Sequence, residues 1–174
     1  MSDSSHERRT LAQPSAAFLG DRGEADPAVR RFIADAGEDL PTSYLRAVAA
    51  LCGARLLLPV VASGDDSMDG PDPNRHADLA AVSIAVPDGR RALLAFTGID
   101  ALVAWEPRAR PVPATLDDVA ATVLETGDDA LLVDAAGPVP FVIEGELIDH
   151  LAHGRRLVEL DDGGFGWAYL DQGD

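Results

Sequence analysis

The fold is decided by residues 79–98, which read LAAVSIAVPDGRRALLAFTG. Two apolar runs, 79–86 and 91–96, flank the turn sequence PDGR at 87–90. An Asp-Gly pair between two such runs is typical of a β-hairpin, because both residues tolerate the backbone angles of a tight turn. This stretch therefore predicts two antiparallel strands in the middle of the chain.

Other apolar segments predict further strands. The run RLLLPVV at 55–61 has the continuous apolar character of a strand that is buried on both faces. Pro59 lacks a backbone donor, so we expect either a bulge or an unpaired edge at that position. The segment RPVP at 110–113 must be extended, because residues before proline avoid helical angles. Two more hairpins are predicted from the pairs 130–134 with 139–143 and 157–160 with 165–170.

Helices are predicted from apolar periodicity and from capping residues. The predicted spans are 27–36 after Asp26, about 42–52, a short helix after Thr97, one that begins at Thr115 and closes at Gly127, and 144–153. Thr97 with Asp100, and Thr115 with Asp118, have the spacing of a capping box. The residues expected to face inward are Val29, Phe32, Ile33 and Ala36; Leu45, Val48, Ala49 and Cys52; Ile99, Leu102 and Val103; Leu116, Val119, Ala120, Val123 and Leu124; and Leu147, Ile148 and Leu151.

These elements predict a single domain of the α/β (α+β) class. Helices and strands interleave, but the tight hairpins require antiparallel pairs, so we expect one mixed sheet of about five to seven strands packed by four to five helices. Residues 1–26 are polar and lack periodicity, and they predict a flexible leader. Residues 27–174 are then the folded domain.

The composition limits the classes of partner. The 174 residues carry 14 arginines, no lysine and 30 acidic side chains, which gives a net charge of −16. A strongly acidic chain lacks the positive face that nucleic acids and anionic membranes require, so we expect neither as a partner. No segment resembles a signal peptide or a membrane span, and we expect a cytoplasmic protein. The oligomeric state stays open.

Two patterns resemble metal sites. Asp65, Ser67, Asp69 and Gly70 occupy the first positions of a calcium loop, but His76 stands where a bidentate glutamate is needed. Glu146, His150 and His153 share one helix face without the HExxH pattern or a fourth ligand. We favour a solvated loop and an exposed helix face, and expect no metal and no cofactor.

Nucleophilic catalysis finds no support either. Cys52 is the only cysteine and lies among apolar residues, which favours a buried, inert thiol over a reactive one. The chain has no GxSxG, Walker or GxGxxG motif. We identify no catalytic residues and lean towards a protein that is not an enzyme.

Arg110 is the most interesting cation, since it lies on a rigid extended segment and could bind a carboxylate or phosphate in a bidentate manner. We favour the alternative, in which it pairs with an internal acid such as Asp134.

Five segments, taken together, carry a resemblance to a known family. They are RLLLPVV at 55–61, ADLAAV at 77–82, DGRRALLAFTG at 88–98, Trp105 followed by ARPVP at 109–113, and DAAGP at 134–138. In order and spacing they resemble the SseB family (enhanced serine sensitivity) in its actinobacterial form, over about residues 27–160. The resemblance implies no cofactor and no catalytic set, because the family name records a phenotype and not a reaction.

Two functional hypotheses follow. The first is a non-enzymatic module for protein interaction or regulation, with an unknown protein partner and a surface formed by Phe96, Thr97, Trp105, Arg110 and Asp134. The second is a sensor or enzyme that binds a small molecule (an amino acid or anion) or a metal near Arg110.

Overall fold

A computed structural model describes residues 16–37, 40–62 and 79–169. Within these ranges the chain forms a 3-10 turn at Ala16–Phe18 and five α-helices: α1 Pro27–Asp35, α2 Pro41–Cys52, α3 Ile99–Trp105, α4 Leu116–Thr126 and α5 Glu146–Ala152. The strands are β1 Arg55–Ala62, β2 Leu79–Ala81, β3 Ser83–Ala85, β4 Arg91–Ala95, β5 Arg110–Thr115, β6 Ala130–Val133, β7 Phe141–Glu144, β8 Arg155–Glu159 and β9 Phe165–Tyr169.

The first seven strands form two sheets that one bridge connects. The three-stranded antiparallel part has the order β2-β1-β5, and the four-stranded mixed part has the order β3-β4-β6-β7. Only the pairing of β4 with β6 is parallel among the described strands. Leu57 and Phe96 join the two parts by exchanging backbone hydrogen bonds of 2.8 and 2.9 Å. The predicted α+β class with a mixed sheet is confirmed, and β8 with β9 forms a separate antiparallel hairpin.

Side chains alternate between the two faces of the sheet, as the strand period requires. The first face carries Leu56, Leu58, Leu93 and Leu131, which pack in the main core with α1, α2, α4 and α5. The second face carries Leu57, Leu94 and Phe96, which pack in a smaller cluster with α3. Among the described helices, only the seven-residue α3 contributes to that cluster, so the described part of the chain covers the second face less than the first.

Prolines shape the outer edge of β5. Leu57 directs its backbone groups towards Phe96, so its pair with Pro113 is of the non-hydrogen-bonded kind, and the pair of Pro59 with Pro111 repeats this geometry two residues on. The imide nitrogens of Pro111 and Pro113 therefore face outward, where no donor is needed. β1 passes Pro59 without a bulge, because Pro59 falls between the bridge at Leu57 and the start of the β2 ladder at Val60.

Most of the predicted boundaries are confirmed within one to three residues. The Asp26 side chain accepts a hydrogen bond from Ala28 N at 2.8 Å, as expected for the cap of α1. Thr115 caps α4, and Gly127 ends it in the left-handed conformation with φ 69°. The hairpin at 87–90 turns at Gly89, whose φ is 86°.

Two predicted apolar stripes are partly wrong. In α2 the predicted Leu45 and Ala49 pack half-buried against the core, and Ala47 and Leu51 are buried as well as the predicted Val48 and Cys52. An alanine-rich helix presents several faces of similar hydrophobicity, and the tertiary contacts choose between them. Val103 of α3 and Leu124 of α4 were expected inside, but they are 45 % and 44 % exposed.

Residues 16–26 contact the domain even though they were predicted to belong to a flexible leader. The predicted boundary at residue 26 itself stays a prediction, and residues 1–15 lie outside the described part of the chain. None of the five helices in the described ranges is long and apolar enough to cross a membrane.

Candidate functional site

A polar cluster, buried at Thr97 and Asp134 and open to solvent at Asp100, links the end of β4 to the end of β6. Asp134 accepts a hydrogen bond from the backbone N–H of Thr97 at 2.8 Å and another from its hydroxyl at 2.7 Å. Arg30 of α1 donates from Nε to the same hydroxyl oxygen at 3.0 Å. Its two terminal nitrogens both reach the carboxylate of Asp100 at 2.7 Å. The cluster thus ties α1, α3 and two neighbouring strand ends together.

Asp134 is the most constrained member of this cluster. Its side chain lies in the interior, with 1 % of the residue exposed, and its φ of 54° is in the left-handed region. Aspartate tolerates that region better than most residues, because its short polar side chain bonds locally. Burial raises the pKa of the carboxyl, although the hydrogen bonds from Thr97 oppose that shift.

The predicted helix cap at Thr97 is wrong. The N-cap of α3 is Gly98, and no side chain caps it. Thr97 and Asp100 have the spacing of a capping box, but the Thr97 hydroxyl donates to Asp134 and the Asp100 carboxylate binds Arg30. Both side chains therefore bind residues of other elements instead of capping the N-terminus of α3.

A second arginine fastens residues 18–26, which we call the strap. Arg55, at the start of β1, donates to the Asp21 carboxylate at 2.5 and 3.1 Å and to the carbonyl of Glu24 at 2.6 Å. It also donates to the carbonyl of Thr97 at 2.9 Å. Burial works to raise the pKa of Asp21, but hydrogen bonds from Gly23 and Arg55 hold it below its ordinary value. The strap is thus bonded to the loop that carries the polar cluster.

Close backbone approach completes the contact between the strap and α3. The N–H of Ile99 donates to the carbonyl of Gly23 at 2.7 Å. A Cβ at Gly98 would lie 2.7 Å from the Cβ of Ala25 and 2.7 Å from Oδ1 of Asp100. Glycine is therefore required at position 98 by space, not by a positive φ.

The structure brings four of the five predicted interaction residues together. The rings of Phe96 and Trp105 lie 5.7 Å apart, and Thr97 bonds Asp134. However, Phe96, Thr97 and Asp134 are buried, with 0 %, 3 % and 1 % exposed, so only the half-buried Trp105 and the exposed Arg110 are open to a partner. The surface as a whole stays a prediction.

Arg110 does not pair with Asp134, contrary to the favoured prediction. It is exposed and makes no ion pair within the described ranges. Alternation along β5 places it on the same face as Val112 and Ala114, which pack with the main core. Arg30 is the cation at the polar cluster, and nothing local in the sequence marked it, since its partners lie 67 and 70 residues away.

Within the described ranges, the structure does not bring the predicted metal ligands together. Across the described ranges no three His, Cys, Asp or Glu side chains are grouped to hold an ion. His150 contacts Arg155 at 2.6 Å and stacks near Trp167, and His153 Nδ1 lies 2.6 Å from the carbonyl of Asp149. The calcium-like pattern at 65–76 lies outside the described residues. Cys52 is buried, as predicted, and burial raises the pKa of its thiol.

An apolar cleft opens on the second face of the sheet, away from α3. Its volume is about 270 Å³, and Ala92, Ala130, Leu132 and Val142 are among its lining residues. Val142 is 43 % exposed and lies opposite Leu132 in the β6–β7 register. We call this the Val142 cleft. At its rim Arg90 bridges Asp88 at 2.7 Å and Glu144 at 2.8 Å.

The edge strand beside this cleft, β7, has one of its backbone carbonyls occupied by a side chain. The hydroxyl of Tyr44 in α2 donates to the carbonyl of Val142 at 2.8 Å, and its ring stacks on Phe141 at 5.1 Å. Burial, assisted by the negative charge of Glu144, raises the pKa of Tyr44 to about 12, so the hydroxyl keeps its proton at neutral pH. This bond occupies an acceptor that an added strand would need.

The fold and the site together define a small α+β domain, built on two bridged sheets with a polar cluster at their strand ends. A family model described as the SseB protein N-terminal domain matches residues 29–150. The chain therefore belongs to the SseB family, and the resemblance found in the sequence is confirmed. Searches of curated proteins and of solved structures gave no match. The matched range includes Arg30, Thr97, Asp100 and Asp134, whereas the strap precedes it.

Proposed function

We propose that this domain is a non-enzymatic protein-interaction module of the cytoplasm, and that its contact surface is the Val142 cleft. One observation carries the proposal: the first face of the sheet packs against four helices, whereas among the described helices only α3 packs on the second face, which has an apolar cleft away from α3. Contiguous apolar surface on a folded domain is typical of a contact site for another macromolecule.

The state of the polar groups supports this proposal over an enzyme. Arg30 and Arg55 are bonded to Asp100, Asp21 and Thr97, and Asp134 is bonded to Thr97. These side chains hold α1, α3 and the strap in place, and their hydrogen-bonding capacity is used within the chain. Such a cluster is built for stability of the fold rather than for acid–base work on a substrate.

The edges of the sheet favour contact through its face. Pro111 and Pro113 remove donors from the outer edge of β5, and Tyr44 caps a carbonyl on the outer edge of β7. Strand addition along β5 would lack these two donors, and strand addition along β7 would lack this acceptor. A partner is therefore expected to insert aliphatic side chains into the Val142 cleft, not to extend the sheet at β5 or β7.

Charge defines the partner further. The chain has a net charge of −16, whereas the charges that line the cleft balance, with Asp88 and Glu144 against Arg90 and Arg91. Long-range attraction to the chain as a whole would favour a partner with a net positive charge, and would raise the association rate at low salt.

Two variants with matched exposure test the proposal. Val142→Asp places a charge in the cleft, and Leu124→Asp places the same charge on α4, where the wild-type side chain is exposed to nearly the same degree, 44 % against 43 %. Partners are recovered on immobilised wild-type domain from a lysate of the source organism, identified, and compared between variants. We expect Val142→Asp to lose a partner that Leu124→Asp keeps. Equal recovery by both variants would reject the cleft as the contact surface.

The residues predicted from the sequence provide a second comparison. Arg110→Ala and Trp105→Ala test whether the surface extends across α3 to β5. If partner recovery is unchanged in both variants, these two residues do not belong to the contact surface, and the assignment of the Val142 cleft is unaffected.

A further inference from the structure

We infer that a second cleft, between the strap and β5, binds a small monocarboxylate with an apolar body. This inference is independent of the proposed interaction through the Val142 cleft, which shares no lining residue with this second cleft. It rests on the shape of the cleft, the chemistry of its walls and the charge at its rim.

The walls are largely apolar. The cleft has a volume of about 370 Å³, and Phe18, Leu57, Ile99, Pro111 and Pro113 are among its lining residues. This volume lies within the range of about 300 to 1,000 Å³ that is usual for small-molecule pockets. The two proline rings offer no backbone donor, so the walls suit the hydrocarbon part of a ligand rather than a polar one.

The rim carries one available cation. Arg22 lines the cleft, is exposed, and forms no ion pair with any described residue. Asp21 also lines the cleft, but its carboxylate is held by Arg55 and by the N–H of Gly23 at 2.8 Å. Because Arg55 neutralises Asp21, Arg22 is the one charge at the cleft that has no ion-pair partner among the described residues.

A largely apolar cleft that has one unpaired arginine among its described lining residues favours a ligand with an apolar body and one anionic group. A guanidinium binds a carboxylate through two parallel N–H donors, and the bond strengthens beside apolar walls that exclude water. The anion site that the sequence placed at Arg110 is thus moved to Arg22, because Pro111 and Pro113 face this cleft whereas Arg110 lies on the opposite face of β5.

A titration with 4-phenylbutyrate tests the inference. Binding to the full chain is followed by NMR shifts of the Ile99 and Leu57 methyl groups, with 4-phenylbutan-1-ol and 4-phenylbutylamine as ligands that keep the tail and change the head group. We expect saturable binding of the carboxylate, at least about tenfold tighter than of the alcohol or the amine. Equal binding of the three compounds, or no saturable shift at these methyl groups, would overturn the inference.

Two arginine variants separate the role of Arg22 from total charge. Arg22→Gln and Arg31→Gln remove the same charge, and Arg31 is also exposed and without an ion pair in the described ranges, but it lies on α1 outside the lining of the cleft. We expect Arg22→Gln to weaken 4-phenylbutyrate binding about tenfold and Arg31→Gln to leave it within about twofold. Equal losses in both variants would show that net charge, not a site, binds the anion.

Two further binding experiments distinguish the source of the carboxylate and test whether binding is confined to this cleft. An apolar peptide with a free C-terminus that bound far more tightly than 4-phenylbutyrate would overturn the assignment to a small molecule. Val142→Asp should bind 4-phenylbutyrate as the wild type does. Loss of binding in that variant would contradict the independence of the two clefts.

Discussion

The carboxylate of Asp134 binds Thr97 twice, through the backbone N–H at 2.8 Å and through the hydroxyl at 2.7 Å, across 37 residues of sequence. These two bonds join the end of β6 to the loop that leads into α3. Arg30 and Arg55 extend the connection to α1 and the strap through the hydroxyl and the carbonyl of the same threonine. Thr97 is therefore the residue on which four segments converge.

Removal of the Asp134 carboxylate should destabilise the domain. Asp134→Ala leaves the buried N–H of Thr97 without its acceptor and places alanine at a positive φ, and we expect a loss of about 1 to 3 kcal/mol in the free energy of unfolding. Asp134→Asn keeps one acceptor oxygen and tolerates the backbone angle, so its loss should be smaller. Urea denaturation measures both, and an alanine variant as stable as the wild type would contradict the role assigned to this contact.

The same carboxyl should give an unusual dependence on pH. Because burial raises the folded-state pKa of Asp134 above the ordinary value of 3.8, the folded state binds this proton more tightly than the unfolded state. The stability of the wild type relative to Asp134→Asn should therefore increase as the pH falls from neutrality through the folded-state pKa, and stop changing below 3.8.

The contribution of Asp100 to stability should depend on pH in the opposite direction. The hydrogen bond from Arg30 lowers the pKa of its carboxyl. The advantage of the wild type over Asp100→Asn should be present above pH 3.8 and should decline as the pH falls through the lowered value. Unfolding free energies across this range, measured for both variants, would contradict the account if the two differences changed in the same direction.

Arg55 should matter more to stability than an exposed arginine with similar partners. Its side chain is 13 % exposed, and Arg55→Gln leaves Asp21 and two backbone carbonyls without their charged donor, so we expect a loss of about 2 kcal/mol. Arg46 also binds a carboxylate with two nitrogens, but its side chain is 40 % exposed, and Arg46→Gln should cost much less. Chemical denaturation compares them, and equal losses would argue against the strap contact.

Gly98→Ala should loosen the strap. The new Cβ would meet Ala25 and Asp100 at 2.7 Å, so the strap or α3 must shift. Hydrogen exchange at the amides of Gly23 and Ile99 should accelerate, and the melting temperature should fall. Gly53→Ala is the control, because its Cβ would meet only the carbonyl of Ala50 at 3.8 Å. Unchanged exchange at Ile99 in the Gly98 variant would show that the close approach is not restrictive.

Patterns that depend on neighbouring residues predicted the fold well. The Asp-Gly turn, the Thr115 cap and the Arg-Pro-Val-Pro segment each act within a few residues, and the structure contains the hairpin, helix and strand that they indicate. Local chemistry alone sets those conformations, so a single sequence is enough to find them.

The site depends on contacts that no local pattern contains. The Thr97–Asp100 spacing is the same for a helix cap and for a tertiary cluster, and only the positions of Arg30 and Asp134 decide between them. The strap has no hydrophobic periodicity in the sequence. It is held through main-chain carbonyls and through Asp21, which binds Arg55 at a distance of 34 residues along the chain. Its high content of polar residues resembled a leader without partners.

The contact surface is tested most directly by methyl NMR of the domain with the purified partner that depends on Val142. The account predicts that shifts on partner addition are centred on the methyl groups of Ala92, Ala130, Leu132 and Val142, with those of Leu124 and Val158 unchanged. Shifts centred on Leu124 or Val158, with the Val142 cleft unaffected, would contradict it.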